Sequence, residues 1–206
     1  MKLNERGLLV VISGPSGVGK GTVRKALSEM EGHDLVYSVS MTTRPIRLGE
    51  ADGKDYFFVT KEEFEDRIKE NKFLEWAEFV GHYYGTPLDK IEEQLCLGKE
   101  VVLEIEVQGA LQVKQKMPDA VFIFIGPPSM SDLEQRLILR GTDARDIIDM
   151  RMEKVLREIG LAHRYDYIVI NDEVHNAADR IMAIIRAEHA KTERSIYKYQ
   201  EIMGVK

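Results

Sequence analysis

A single cysteine, Cys96, stands in the chain, so no intramolecular disulfide can form and the fold must rest on its apolar core. No apolar run reaches the roughly 18 residues of a membrane span, and no membrane partner is expected. No cleavable signal peptide is expected either, because the chain enters a core-like apolar segment by Leu8. The expected location is cytoplasmic. Positive charge is in deficit: 29 Lys and Arg stand against 35 Asp and Glu, a formal net charge of −6. That balance argues against a general nucleic-acid binder, and it requires any polyanionic ligand to be held by a local basic cluster. Low-complexity stretches are absent too. With 44% hydrophobic and 31% charged residues the chain has an ordinary globular balance rather than that of a disordered segment. Its 206 residues suit one α/β domain with excursions, long enough to bury a sizeable core.

Short β-branched runs alternate with longer amphipathic segments, the signature of crossover units around a mostly parallel sheet flanked by helices. Leu8–Ser13, Glu100–Ile105, Ala120–Ile125 and Tyr167–Ile170 read as buried strands. Helices are expected over Lys20–Glu31, Leu88–Leu97, Val107–Lys116 and Ser129–Arg140, the last resuming after a break and running to about His163. A final helix, roughly His175–Gln200, carries Ile181, Ile184, Ile185 and Ile196 at helical spacing, which favours packing on the core over a partner-binding role for its far end. Two regions break the alternation. Residues 37–87 are richer in short strands, aromatics and glycine turns, and residues 129–151 are rich in arginine and interrupted by Gly141-Thr142. Each reads as a mobile lobe of one domain spanning 6–186, with 187–206 as a C-terminal helix extension.

Directly after the first strand comes Gly14-Pro15-Ser16-Gly17-Val18-Gly19-Lys20-Gly21-Thr22 and then a helix. This is GxxxxGK in its strand–loop–helix setting. The glycines let successive backbone N–H groups converge on a phosphate at a helix N-terminus, and Lys20 can reach the β- and γ-phosphates. Position 21 is Gly instead of the usual Ser or Thr, which leaves Thr22 as the candidate hydroxyl near a Mg²⁺ ion.

Arg44 and Arg47 fall three residues apart in a loop, with Tyr56 and Tyr84 in the same excursion. Guanidinium forks and phenols suit a terminal phosphate, although Arg44 and Arg47 could instead pair with Glu50 and Asp52 on the surface. Glu75 sits in Phe73-Leu74-Glu75-Trp76, where strict strand alternation would turn it to solvent. A carboxylate of this kind could also accept from guanine's N1–H and 2-amino group, both donors. Glu104 and Glu106 end the strand Val101–Glu106, at the carboxyl edge where open α/β sheets bind ligands. They could hold Mg²⁺-bound water, read a base or serve solubility. Arg136 and Arg140 lie four apart on one helix face, with Arg151 beyond the glycine break. Asp132 stands four residues before Arg136, so a surface ion pair competes with a phosphate-directed role.

Taken together, these residues resemble the guanylate kinases of bacterial type over nearly the whole chain. The resemblance rests on the phosphate loop, Ser38-Val39-Ser40-Met41-Thr42-Thr43-Arg44-Pro45-Ile46-Arg47-Leu48-Gly49-Glu50, Gly53-Lys54-Asp55-Tyr56, Leu74-Glu75-Trp76, Tyr83-Tyr84-Gly85-Thr86, Val107-Gln108-Gly109, Arg140-Gly141-Thr142 and Val169-Ile170-Asn171-Asp172. It implies an α/β P-loop nucleoside monophosphate kinase fold, with a GMP-binding lobe and a lid, that transfers a phosphoryl group from ATP to GMP with Mg²⁺. By resemblance Arg44, Arg47, Tyr56 and Tyr84 would bind the GMP phosphate, while Ser40, Glu75, Thr86 and Glu106 would read guanine. Residues 14–22, Arg136 and Asn171 would bind ATP, with Glu104 and Thr22 toward the metal. Lys20, Arg44, Arg140 and Arg151 would act in catalysis. Gly21, and Glu104 and Glu106 where the family often has aspartate, depart from the pattern. A kinase of another small phosphorylated acceptor and an inactive protein-binding module on the same fold remain the alternatives. Oligomeric state is left open.

Overall fold

In the computed structural model, which describes residues 6–31, 33–139 and 145–204, Leu9–Ser13 forms strand β1 and every one of its residues is buried. A parallel strand covered on both faces needs apolar side chains on both, hence the continuous run instead of alternation. Helix α1 (Lys20–Glu29) and strand β2 (Leu35–Tyr37) follow. The chain then leaves for an inserted lobe of β3 (Met41–Thr42), β4 (Phe57–Phe58), α2 (Lys61–Lys69), β5 (Phe73–Phe79) and β6 (His82–Pro87). It returns through α3 (Leu88–Cys96), β7 (Glu100–Glu104), α4 (Val107–Lys116) and β8 (Val121–Gly126). Helices α5 (Met130–Leu139) and α6 (Arg145–Gly160), strand β9 (Tyr167–Ile170) and helices α7 (Val174–Ala190) and α8 (Thr192–Met203) complete it. Gly141 and Thr142, where the sequence places a break, lie outside the described residues.

The main sheet has the order β2-β7-β1-β8-β9 and is parallel throughout. On one face Val10, Ile12 and Ile123 pack with Val23 and Leu27 of α1 and Ile181 and Ile185 of α7. On the other, Leu9, Val11 and Phe122 meet Ile91 and Leu95 of α3 and Val113 of α4. Each such side chain, fully buried, contributes about 1.5–3 kcal/mol of transfer free energy. The two layers hold the carboxyl ends of β1 and β7 side by side. Glu104 of β7 stands in register with Ile12 of β1, so the loop leaving β1 and the acids leaving β7 share one edge.

The lobe is a second sheet of order β4-β3-β6-β5 around Met41, Phe64 and Phe73. Phe64 stacks on Phe73 and Tyr83, with ring centroids 4.3 and 5.3 Å apart. At the β5–β6 hairpin Val80 and Gly81 both have positive φ, as a two-residue type I′ connection requires. The Gln112 side chain on α4 accepts from the Trp76 N–H at 3.2 Å and donates to the Trp76 carbonyl at 3.1 Å. Lys116 donates to the Phe73 carbonyl at 2.5 Å. These bonds pin β5 to the main body and so set where the lobe's inner face points.

Boundaries differ from expectation in two places. Tyr37 belongs to β2 of the main sheet, so the insertion starts after it. The expected single C-terminal helix is two, parted at Lys191, whose ψ of 135° is extended. The buried Glu188 accepts from Tyr167 at 2.5 Å and pairs with Lys191 at 2.7 Å, while Ser195 donates to the His189 carbonyl at 2.8 Å. Turning the chain at 191 brings Lys191 to Glu188 and Ser195 to the His189 carbonyl. Position 187 thus falls inside α7, and α8 buries Ser195 alone of its residues, leaving Tyr197, Ile202 and Met203 exposed instead of packed on the core.

Candidate active site

The phosphate loop leaves β1 at Ser13 and enters α1 at Lys20. Gly19 adopts a left-handed φ of 94°, and a Cβ there would lie 2.7 Å from Asn171 Nδ2. Glycine is therefore demanded both by the turn and by the close approach of Asn171. Lys20 Nζ curls over the loop and donates to the carbonyls of Gly14 at 2.7 Å and Pro15 at 3.2 Å. Burial pushes its pKa below the ordinary lysine value, and the nearby Glu104, Glu106 and Glu158 act in the opposite direction.

A cleft of about 530 Å³ runs from this loop to the lobe, lined among others by Lys20, Ser40, Tyr56, Glu75, Tyr84 and Glu106. Glu75 does not face solvent: it is 8% exposed and accepts from the Thr86 hydroxyl at 2.6 Å. The simple alternation fails because the β5–β6 register shifts between Phe73 and Glu75, burying Phe73, Leu74 and Glu75 in succession. A Cβ at position 109 would lie 2.9 Å from Glu75 Oε2, so Gly109 on α4 makes room for the carboxylate. Burial pushes the Glu75 carboxyl above the usual range, against the pull of Thr86 and Lys116.

Arg44 is 7% exposed and grips Glu50 with both Nη atoms, at 2.9 and 2.8 Å, beneath the rings of Tyr56 and Phe58. The alternative pairing foreseen from the sequence is thus present, but as a buried fork beside the cleft, not as a surface contact. Arg47 is exposed and offers its backbone N–H to Glu50 at 2.8 Å. At the β7 edge Arg24 Nε lies 3.1 Å from Glu104 Oε2, and Lys154 of α6 lies 3.0 Å from Glu106 Oε2.

Across the phosphate loop a second pocket of about 310 Å³ is lined by Gly17, Gly19, Thr22, Arg136 and Asn171. Arg136 donates to the carbonyls of Val18 at 3.2 Å and Asn171 at 3.4 Å, while Asp132 bonds Ser129. The competing Asp132–Arg136 pair is replaced by contacts to the loop. Asn171 donates to the Val18 carbonyl at 2.8 Å, and its buried Oδ1 has no hydrogen-bond partner among the described residues. Thr22, expected near a metal, lines this pocket and not the cleft that holds Gly21 and Glu104. Arg151 is partly buried on α6 and is not among the cleft-lining residues. Arg140 lies outside the described residues.

The sequence reading missed Arg24, Lys154 and Glu158. Glu158 is buried, is pushed above the usual carboxylate range by that burial, and lies 3.6 Å from Lys154. An acid four residues after a lysine, between the apolar Val155 and Ile159, was the available signal.

The sequence model of the family described as guanylate kinase matches residues 6–188. The chain belongs to the guanylate kinase family. It is 62% identical over 204 residues to the guanylate kinase of Aster yellows witches'-broom phytoplasma, covering 98% of this chain and 97% of that protein. Identity to the guanylate kinase of Streptococcus mutans is 57% over 202 residues, covering 98% and 96%. The crystal structure of guanylate kinase from Anaplasma phagocytophilum matches with a TM-score of 0.71 and 37% identity, covering 92% of this chain and 89% of that one.

Proposed function

We propose that the chain transfers the γ-phosphoryl group of ATP to GMP, giving ADP and GDP. The observation that carries this reading is the single cleft joining the Lys20 ammonium to a buried carboxylate–hydroxyl pair, Glu75 and Thr86. Glu75 offers acceptors where guanine has two donors, and adenine's N1 lone pair would be repelled. Tyr56 and Tyr84 line the cleft for the acceptor's phosphate, and Arg44, its Nη atoms on Glu50, adds positive charge beneath the Tyr56 ring. On the donor side the loop amides and Lys20 would hold the β- and γ-phosphates, with the base toward Asn171 and Arg136.

A GMP phosphate oxygen attacks the γ-phosphorus in line, the bond to the β–γ bridging oxygen breaks, and ADP leaves with that electron pair. No protein nucleophile takes part. The protein's tasks are positioning and charge neutralisation, by Lys20, Arg44 and, as proposed from the sequence, Arg140 and Arg151. Among the described residues no three or more His, Cys, Asp or Glu side chains are grouped to cage a metal ion. Carboxylates at the cleft edge nonetheless fit Mg²⁺, a hard ion bound through one or two carboxylates plus substrate phosphates. Glu104 would hold it, directly or through water, and the ion would neutralise donor phosphate charge. Among the described residues no helix is long and apolar enough to cross a membrane, and a cytoplasmic location belongs to the same reading.

A coupled ADP-release assay with GMP tests the reading, and one variant tests its geometry. Arg44→Ala is expected to raise the GMP KM by about 10- to 100-fold, the loss of a charge-assisted contact to the phosphate together with the Arg44–Glu50 pair that shapes this side of the cleft, with a smaller fall in kcat. Arg44→Lys should recover little, because an ammonium cannot reproduce the fork. An unchanged KM in both variants would remove Arg44 from the phosphate site.

A further inference from the structure

Position 21 follows the P-loop lysine, where loops of this type carry a Ser or Thr whose hydroxyl stands at the metal. Here it is glycine, and the geometry around it is specific. A Cβ built on Gly21 would meet one neighbouring atom within 4 Å, Glu104 Oε1 at 3.8 Å. The Glu104 carboxylate therefore abuts the space that a side chain at 21 would fill. Its other oxygen, Oε2, is held at 3.1 Å by Arg24 Nε. Arg24 lies one helical turn beyond Lys20 on α1 and so shares its side of the helix. Its guanidinium in turn sits over the Tyr37 ring of β2, 5.3 Å from the centroid. Thr22, the next hydroxyl along the chain, opens into the pocket of Arg136 and Asn171.

We propose that Gly21, Glu104 and Arg24 act as one unit, in which Arg24 is a positioning residue that holds the Glu104 carboxylate over Gly21 to supply the metal-directed oxygen that a Ser or Thr at position 21 supplies in other P-loops. The exchange is chemically sound. A carboxylate is a harder and more charged donor for Mg²⁺ than a hydroxyl, so it serves at least as well once something fixes its direction. The glutamate side chain reaches from β7 to the edge of the open space at Gly21, where a Cβ would stand in ordinary contact with Oε1 at 3.8 Å and a longer side chain would meet the carboxylate. A Ser at 21 would put its Oγ against Glu104 and make the carboxylate's reach redundant. The inference rests on the ATP-dependent transfer proposed above, and it adds the two residues that direct the metal ligand.

A double-mutant cycle tests it: wild type, Gly21→Ser, Glu104→Asp and the double variant, together with Arg24→Gln and Arg24→Lys. The first readout is the affinity of Mn²⁺ for the protein–ATP complex, followed by electron paramagnetic resonance without any acceptor; the second is kcat and GMP KM. Glu104→Asp withdraws the carboxylate and is expected to weaken Mn²⁺ binding and lower kcat by about tenfold or more. Adding Gly21→Ser should return both to within about threefold of wild type, a coupling that independent sites do not show. Arg24→Gln should weaken Mn²⁺ binding and lower kcat with the GMP KM unchanged, and Arg24→Lys should restore part of both. The inference is overturned if the two single effects simply multiply in the double variant, if Glu104→Asp leaves Mn²⁺ affinity unaltered, or if Arg24→Gln moves only the melting temperature. Because the Mn²⁺ measurement uses ATP alone, its failure is distinct from a failure of GMP as acceptor, which the wild-type assay reads separately.

Discussion

Lys20→Ala is expected to lower kcat by about 10²- to 10³-fold while GMP affinity stays near that of the wild type, since removal of one preformed stabiliser of transition-state charge has effects of that size. The structure explains both halves. Lys20 Nζ is held on the phosphate loop by the Gly14 and Pro15 carbonyls, whereas Glu75 and Thr86 are bonded to each other on the strands of the inserted lobe. Although burial lowers its pKa, the surrounding carboxylates Glu104, Glu106 and Glu158 favour the cation. Steady-state kinetics with GMP varied at saturating ATP, and a separate GMP titration, measure the two quantities. A variant keeping more than about a third of wild-type turnover would be too active for a residue in this role.

The second large effect is base selectivity. AMP sets its N1 lone pair against the Glu75 carboxylate and leaves a buried acceptor unpaired, so kcat/KM should fall by about 10⁴-fold relative to GMP. IMP keeps N1–H but lacks the 2-amino group, and one charge-assisted hydrogen bond of about 1.5–3 kcal/mol corresponds to a loss of roughly 10- to 150-fold. Glu75→Gln narrows both ratios by damaging GMP use, because an amide offers one acceptor and one donor where guanine needs two acceptors. An unchanged GMP-to-IMP ratio in this variant would sever Glu75 from the base.

The same substitution has a second signature. Burial raises the folded-state pKa of Glu75 above its unfolded value, so the stability linked to this group is present below the unfolded pKa and lost as pH rises through the folded one. Wherever the carboxylate is ionised it is therefore a burden on the fold. Glu75→Gln should raise the melting temperature while it weakens GMP use, the trade expected where function requires a buried charge. On acidification the wild-type GMP KM should begin to rise at a pH above that at which an exposed glutamate titrates.

What could be read from the sequence follows physical lines. Buried parallel strands such as Leu9–Ser13 and Val121–Gly126 must be apolar on both faces, which makes them visible as continuous runs. The phosphate loop was visible because its turn needs glycine at Gly19 for its left-handed φ, a local demand that the sequence shows, whereas the close approach of Asn171 is not local. Where a tertiary contact overrides a local rule, the sequence is mute. Alternation could not decide the face of Glu75, since a register shift in β5 and the small Gly109 on a different element together admit its carboxylate. Nothing local stops the last helix at Lys191, where Glu188, Tyr167 and Ser195 demand the turn. Arg44 offered a phosphate fork or an acid pair, and only the fold shows that it is paired with Glu50 while still buried beside Tyr56. Arg24 and Glu104 lie 80 positions apart and meet because β7 and β1 are neighbours in the sheet.

The central claim is that this cleft joins ATP to GMP and turns other nucleotides away. Coupled ADP release, measured with ATP and Mg²⁺ against GMP, AMP, CMP and UMP in parallel, tests it most directly. Rapid turnover with GMP and rates lower by orders of magnitude with the other three are expected; equal use of AMP, or no release above the ATP-only background with any of the four, would contradict the account.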